Sequence, residues 1–169
     1  MPAEYLIISA SLRPASLSRI LGLALAKELE GEHLDLRDFP LPMCDGDAAY
    51  GDPNVEILRA KIDAARVILL AVPIYNYDAN AAVKNLVELT GGAWEDKIVG
   101  FACAAGGQSS YMSIIGLANS LLLDFRCIIL PRFVYATGDD FADGKISSAE
   151  VKRRLHQLAE SARQLRNGK

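Results

Sequence analysis

Apolar residues along this chain come in short runs that alternate with segments of helical spacing. "YLIIS", Tyr5 to Ser9, reads as a first buried strand, and Leu17, Ile20, Leu21, Ala24 and Leu29 fall on one face of a first helix. "EHLDLRDF" alternates like a second strand, and the turn-rich "PLPMCDGDAAYGDPN" follows as a loop. Asp52 as N-cap and Pro53 in the first helical position open a second helix that carries Val55, Leu58, Ile62 and Ala65. "RVILLAV" is continuously apolar, as a parallel strand covered on both faces requires. Asp78 is the expected cap of a third helix with Val83, Leu86 and Val87, ending at Gly91-Gly92. "KIVGFACAA" reads as a fourth strand, Ser109 to Leu123 as a fourth helix, and "RCIILPRFVYA" as a fifth strand. A last helix from about Ser148 puts Val151, Leu155, Leu158, Ala162 and Leu165 on one side.

Five strands alternating with five helices predict an α/β domain, a doubly wound five-stranded parallel sheet with helices on both faces. No composition shift, repeat or linker divides residues 1–169, so a single domain is expected. Ligands of such sheets bind beyond the carboxyl ends of the strands, where the strand order reverses. The loops after the first, third and fourth strands therefore carry the functional information.

Composition narrows the classes. Apolar residues are 51% and charged residues 23% of 169, which is globular and argues against a disordered chain. A net charge of −3 offers no basic field to a nucleic acid, so no such partner is expected. The longest apolar stretch, "VILLAVPIY" from Val67, is too short to cross a bilayer, and the N-terminal residues lack the pattern of a signal peptide. Cys44, Cys103 and Cys127 form no CxxC, and the last two lie inside apolar runs. A reduced, cytoplasmic protein is the expectation.

The first loop, "SASLRPASLSRI" from Ser9, fills a strand-to-helix junction with hydroxyls and a guanidinium. A helix N-terminus with free N–H groups suits an anion. Ser11, Ser16 and Ser18 add hydroxyl donors there, and Arg13 a fork that grips phosphate at two points. Neither GxGxxG nor GK[ST] is present, which argues against a dinucleotide as first-bound cofactor and against ATP. The second loop, from Pro73 to Asn80, presents Tyr75 and Asn76 where the sheet opens, and Pro73 is expected to fix the chain as it leaves the sheet. The third, "AAGGQSSY", places Gly106-Gly107 where backbone can approach a planar ligand.

In combination these loops resemble those of the NAD(P)H-dependent FMN reductase family, which has the flavodoxin-like fold. Its first loop reads G-S-L-R-x-x-S-x-N, and Ala10-Ser11-Leu12-Arg13-Pro14-Ala15-Ser16-Leu17-Ser18 follows it. Its second reads P-E-Y-N with L-K-N some seven residues on, matched by Pro73-Ile74-Tyr75-Asn76 and Val83-Lys84-Asn85. The resemblance implies that Ser11, Arg13, Ser16 and Ser18 hold the phosphate of FMN. It implies that Pro73, Ile74, Tyr75 and Asn76 line the isoalloxazine, with Ala105, Gly106, Gly107 and Gln108 at its other edge. The departures are Ala10 for glycine, Ser18 for asparagine and Ile74 for glutamate; Ser18 keeps a donor, whereas Ile74 removes a carboxylate near the ring.

The expected activity is an NAD(P)H-dependent reductase that passes hydride through N5 of bound FMN to a small acceptor such as a flavin or quinone. No side chain acts as a covalent catalyst in that scheme, because the cofactor carries the redox chemistry. The alternatives are a flavodoxin-type electron carrier and a non-catalytic flavin-binding module. Carriers of that kind use a Thr/Gly-rich loop and are strongly acidic, and this chain has neither trait. The fourth helix carries Met112, Ile114, Ile115, Leu117, Leu121, Leu122 and Leu123 around most of its circumference. One face can pack on the sheet; the rest predicts an interface, hence a homodimer or a dimer of dimers, as the resemblance also implies.

Other signals are set aside. "DDFADGKISSAE" from Asp139 imitates a calcium loop, but Phe141 stands at a ligand position and Ser147 with Glu150 reads as a capping box. His33 and His156 lie away from the three loops, so histidine-based catalysis and a metal site are not expected.

Overall fold

The computed structural model describes residues 4–165. The first strand, β1 (Tyr5–Ser9), pairs in parallel with β2 (Glu32–Asp35) on one side and with β3 (Val67–Tyr75) on the other. β3 pairs in parallel with β5 (Ile98–Ala105) on its other side, and β5 pairs in parallel with β6 (Ile128–Ile129) and β7 (Val134–Thr137). The order is β2-β1-β3-β5, then β6 and β7 together as the edge. The direction of winding thus reverses between β1 and β3.

The predicted fifth strand is two pieces, β6 and β7. Val99 pairs with Ile129 and Ala102 with Val134, so Leu130 to Phe133 face only two residues of β5. Pro131 stands inside this bulge, where its missing N–H breaks no ladder bond. Pro73, expected at the exit from the sheet, instead lies within it, paired with Ala104. The Ala71 carbonyl accepts from Ala10 N on the β1 side, and Pro73 two residues later faces the same side, where β1 has already ended.

Side chains of the central strands alternate between two apolar layers. Ile7, Val67, Leu69 and Ile98 pack under α1 (Leu17–Leu29) and α5 (Ala149–Gln164). Leu6, Ile8, Ile68, Leu70, Val99 and Phe101 pack against α2 (Pro53–Ala64), α3 (Ala81–Thr90) and α4 (Ile115–Asp124). Gly22 lets α1 lie close on the sheet: a Cβ there would meet the Ser9 hydroxyl at 2.7 Å and the Ala71 Cβ at 3.0 Å. Ser9 Oγ is 2.9 Å from His33 Nε2, and burial, followed by the nearby Arg19 charge, lowers the His33 pKa.

Asp52 and Pro53 cap α2 as expected, the Asp52 carboxylate accepting from Asn54 N at 2.8 Å. Four local expectations are corrected. The buried face of α1 is Ser18, Leu21, Gly22, Leu25, Ala26 and Leu29, with Leu17, Ile20 and Ala24 only half-buried at its margin. β2 stops at Asp35, because Leu36 to Asp38 turn into a 3-10 helix that Asp35 caps by accepting from Arg37 N. Asp78 does not cap α3 but belongs to a short strand, β4 (Asp78–Ala79), and Asn80 is the N-cap. Ser148, not Ser147, caps α5 by accepting from Val151 N, and Glu150 turns to Arg153 and Arg154 instead. A hairpin, β8 (Phe141–Ala142) with β9 (Lys145–Ile146), occupies the segment that imitates a calcium loop.

α4 begins at Ile115, later than predicted, because residues 108–114 form a 3-10 turn and further turns. Ile114, Leu117 and Leu121 are buried, whereas Met112, Ile115, Leu122 and Leu123 are exposed, Leu123 at 71%. α5 packs on the opposite face of the sheet beside α1 and does not cover this helix. An apolar strip therefore remains open on α4.

Candidate active site

The reversal between β1 and β3 opens a cleft of about 800 Å³ at the carboxyl ends of the strands, within the roughly 300–1,000 Å³ usual for small-ligand sites. Eleven of the twelve residues singled out from sequence line it: Ser11, Arg13, Ser16, Ser18, Pro73, Ile74, Tyr75, Asn76, Ala105, Gly106 and Gly107. Gln108 does not; it is the exposed first residue of a 3-10 turn whose last residue, Ser110, does line the cleft.

At the α1 end the three serines are buried while Arg13 and Ala15 are exposed. Ser16 is the N-cap of α1, its Oγ accepting from Arg19 N at 3.1 Å, and Ser18 Oγ lies 3.0 Å from it. Ser11 Oγ accepts from Arg13 N at 3.2 Å. These bonds use acceptor lone pairs and one proton of the Ser16–Ser18 pair, so the Ser11 proton and the pair's second proton remain to donate. The first turn of α1 holds no acidic residue, and its amides point the same way. A helix cap alone would not require three buried hydroxyls. The set is complementary to a phosphate.

The β2 side of this loop is held by an ion cluster. Asp35, almost fully buried, accepts from Arg19 Nε at 2.7 Å and from Arg37 Nη2 at 2.6 Å, and Arg37 Nη1 reaches the Pro14 carbonyl at 3.4 Å. Burial opposes the Asp35 charge, but hydrogen bonds from Arg37 and then Arg19 outweigh it and hold its pKa down to about 2. Asn80 joins the first and second loops, donating from Nδ2 to the Ala10 carbonyl at 2.7 Å.

The second loop is a tight hairpin between β3 and β4, with Tyr75 opposite Asp78 and only Asn76 and Tyr77 between them. Both turn residues have positive φ, 50° and 64°, the mark of a type I′ turn. Tyr75 and Tyr77 line the cleft with exposed rings. On the far wall, Gly106 and Gly107 have no positive φ, and a Cβ on either would meet no atom within 4 Å. What these glycines keep free is the cleft itself. Behind them Tyr135 donates to the Gly107 carbonyl at 2.5 Å and stacks edge-on with Tyr111.

Tyr77, Ala104, Ser110 and Gly138 also line the cleft and were not singled out from sequence. Asn76-Tyr77 between an apolar strand and a polar residue is a weak hairpin signal, weaker because glycine is absent. Gly138 follows the edge strand, whose loop had no reason to be counted. Asn85, part of the second motif, is a structural staple: its side chain accepts from Cys44 N and donates to the Pro42 carbonyl, both at 2.8 Å. His33 lies beneath α1 and His156 pairs with Glu28 on the surface, neither on the cleft. Burial raises the Cys103 thiol to about 12 and the Cys127 thiol to about 11, so neither ionises near neutrality.

The sequence model of the NADPH-dependent FMN reductases matches residues 4–141. The chain belongs to this family. Among similar proteins, an NADPH:quinone oxidoreductase of Arabidopsis thaliana is 30% identical over 169 residues, 89% of this chain and 85% of that protein. An NADH-dependent FMN reductase of Pseudomonas fluorescens is 28% identical over 95% of this chain and 90% of its own. The solved structure of the flavoenzyme NAD(P)H:(acceptor) oxidoreductase FerB from Paracoccus denitrificans superposes with a TM-score of 0.77 over 94% of this chain and 93% of its own, at 21% identity. The chain therefore has the flavodoxin-like fold and, as a member of this family, is an NAD(P)H-dependent flavin oxidoreductase with FMN as cofactor. Among its described residues no helix is long and apolar enough to cross a membrane.

Proposed function

We propose that the cleft holds FMN with its phosphate on Ser11, Arg13, Ser16, Ser18 and the α1 amides, and its ring between the Tyr75–Asn76 loop and the Ala105–Gly107 loop. The observation that carries this reading is the convergence of a hydroxyl- and amide-lined anion cradle with an aromatic and a glycine wall in one 800 Å³ cleft. Bound FMN supplies the redox chemistry, taking hydride from NAD(P)H and passing electrons to a small flavin- or quinone-type acceptor. The chain binds and orients: the serine protons and Arg13 fix one end, and Gly106 and Gly107 admit the ring edge. Neither buried thiol is poised as a nucleophile.

Steady-state oxidation of NADPH and NADH by the purified, FMN-loaded protein, with and without a quinone, tests this function. Turnover with either nucleotide is expected. A protein that binds FMN but consumes neither nucleotide is an electron carrier or a flavin-binding module, and the reading then falls.

The same proposal includes a homodimer through α4. Met112, Ile115, Leu122 and Leu123 form an exposed apolar strip, and such patches on soluble proteins mark interfaces. Sedimentation equilibrium at micromolar protein is expected to give twice the 18.3 kDa chain mass, or four times if dimers pair. A mass of one chain across the concentration range would remove the dimer. A cytoplasmic location belongs to this reading as well, supported by three cysteines that are all free thiols.

A further inference from the structure

Tyr77 sits where its side chain is least welcome. It is the second residue of a two-residue hairpin turn with φ of 64°, a conformation that is costly for a side-chain-bearing residue and that glycine adopts freely. Its ring makes no compensating burial, being 66% exposed. The turn itself does not require it, because Asn-Gly closes such hairpins best. Yet Tyr77 lines the same cleft as the glycine loop.

We propose that Tyr77 is an acceptor-specificity residue: its exposed ring is the stacking surface for a planar aromatic acceptor, a quinone or free flavin, entering the cleft mouth. The inference rests on the function proposed above. An unburied aromatic beside an open cleft offers a π-face to any planar ring, independent of the ring's hydrogen-bonding pattern. Strain retained at such a position is the signature of a residue kept for contact and not for folding.

The test uses the FMN-loaded protein and three variants, Tyr77→Gly, Tyr77→Asn and Tyr77→Phe, assayed with menadione as the planar acceptor and ferricyanide as a non-planar one. Tyr77→Gly relieves the turn, so its melting temperature is expected to rise by about 1–4 °C. Its KM for menadione is expected to rise roughly two- to tenfold relative to its KM for ferricyanide. Tyr77→Asn, which tolerates the same backbone, shows the same acceptor selectivity, and Tyr77→Phe restores the wild-type ratio. An unchanged menadione-to-ferricyanide ratio in Tyr77→Gly overturns the inference while leaving the reductase function in place. A rise confined to the KM for NADPH also overturns it, because the ring then serves the donor. Failure of the wild-type protein to reduce either acceptor with NAD(P)H removes the function itself.

Discussion

Replacing Arg13 with alanine is expected to weaken FMN binding by roughly ten- to hundredfold while leaving the fold intact. Among the described residues no hydrogen bond or ion pair engages the Arg13 guanidinium, which stands exposed at the rim of the serine cradle. It contributes nothing visible to packing. A guanidinium hydrogen bond to phosphate contributes about 1.5–3 kcal/mol, and each 1.4 kcal/mol is a factor of ten in Kd. Titration of FMN fluorescence into apoprotein gives the Kd, and thermal unfolding of the apoprotein gives the control. The melting temperature should stay within about 1–2 °C of wild type, since surface changes without partners cost within about 0.5 kcal/mol. An unchanged Kd would sink the phosphate role of Arg13.

The second large effect concerns stability and its pH dependence. Asp35→Asn is expected to cost the apoprotein about 2–3 kcal/mol at pH 7, a cost that shrinks as the pH falls. The Asp35 carboxylate accepts from Arg37 N, Arg37 Nε and Nη2, and Arg19 Nε, at 2.6–3.1 Å. Its pKa drops from 3.8 to about 2 on folding. A depressed carboxylate pKa adds stability that is complete above the unfolded value and is lost as pH falls through the folded one. Each unit is worth about 1.4 kcal/mol, so this contribution is about 2 kcal/mol at pH 7 and about half of that at pH 3. Both guanidiniums keep partial access to water, which limits the further cost of leaving them without the carboxylate. Urea unfolding of wild type and variant at pH 7 and pH 3 measures the difference. A gap that is equal at both pH values would show that Asp35 acts through shape alone. Because Arg37 also touches the Pro14 carbonyl, the variant is expected to loosen the first loop and raise the Kd for FMN modestly as well.

Much of this architecture was legible in the chain. The runs at Tyr5–Ser9, Val67–Val72 and Ile98–Ala105 are apolar at every position or nearly so, because each strand is covered on both faces. That pattern has few alternatives to a parallel sheet between helices. The residues of the proposed anion cradle were legible for a different reason: a serine and arginine cluster at a strand-to-helix junction lies within a few consecutive residues, beside the orphan amides of α1. The cap at Asp52-Pro53 was likewise local and was read correctly.

What failed was decided by pairing between chain segments, some of them only a few residues apart. Asp78 satisfies every local rule for a helix cap, yet it is drawn into β4 by pairing with Tyr75 across the hairpin. That pairing in turn puts Tyr77 on the cleft, in a backbone conformation its own preference opposes. The break between β6 and β7 follows from a bulge against β5, which only the register of the neighbouring strand reveals. Ser147 lost the cap of α5 to Ser148 by one position, which the β8–β9 hairpin settles through the bonds from Ser147 N and Ser148 N to the Asp140 carbonyl. The sequence by itself determined the layers, the order of elements and the serine and arginine cluster at the start of α1, since burial on both faces and unpaired helix amides are properties of adjacent residues. Tertiary structure alone decided which loops share one cleft, which turn residue faces it and which side of α4 stays uncovered, because each depends on strand order and register between segments dozens of residues apart.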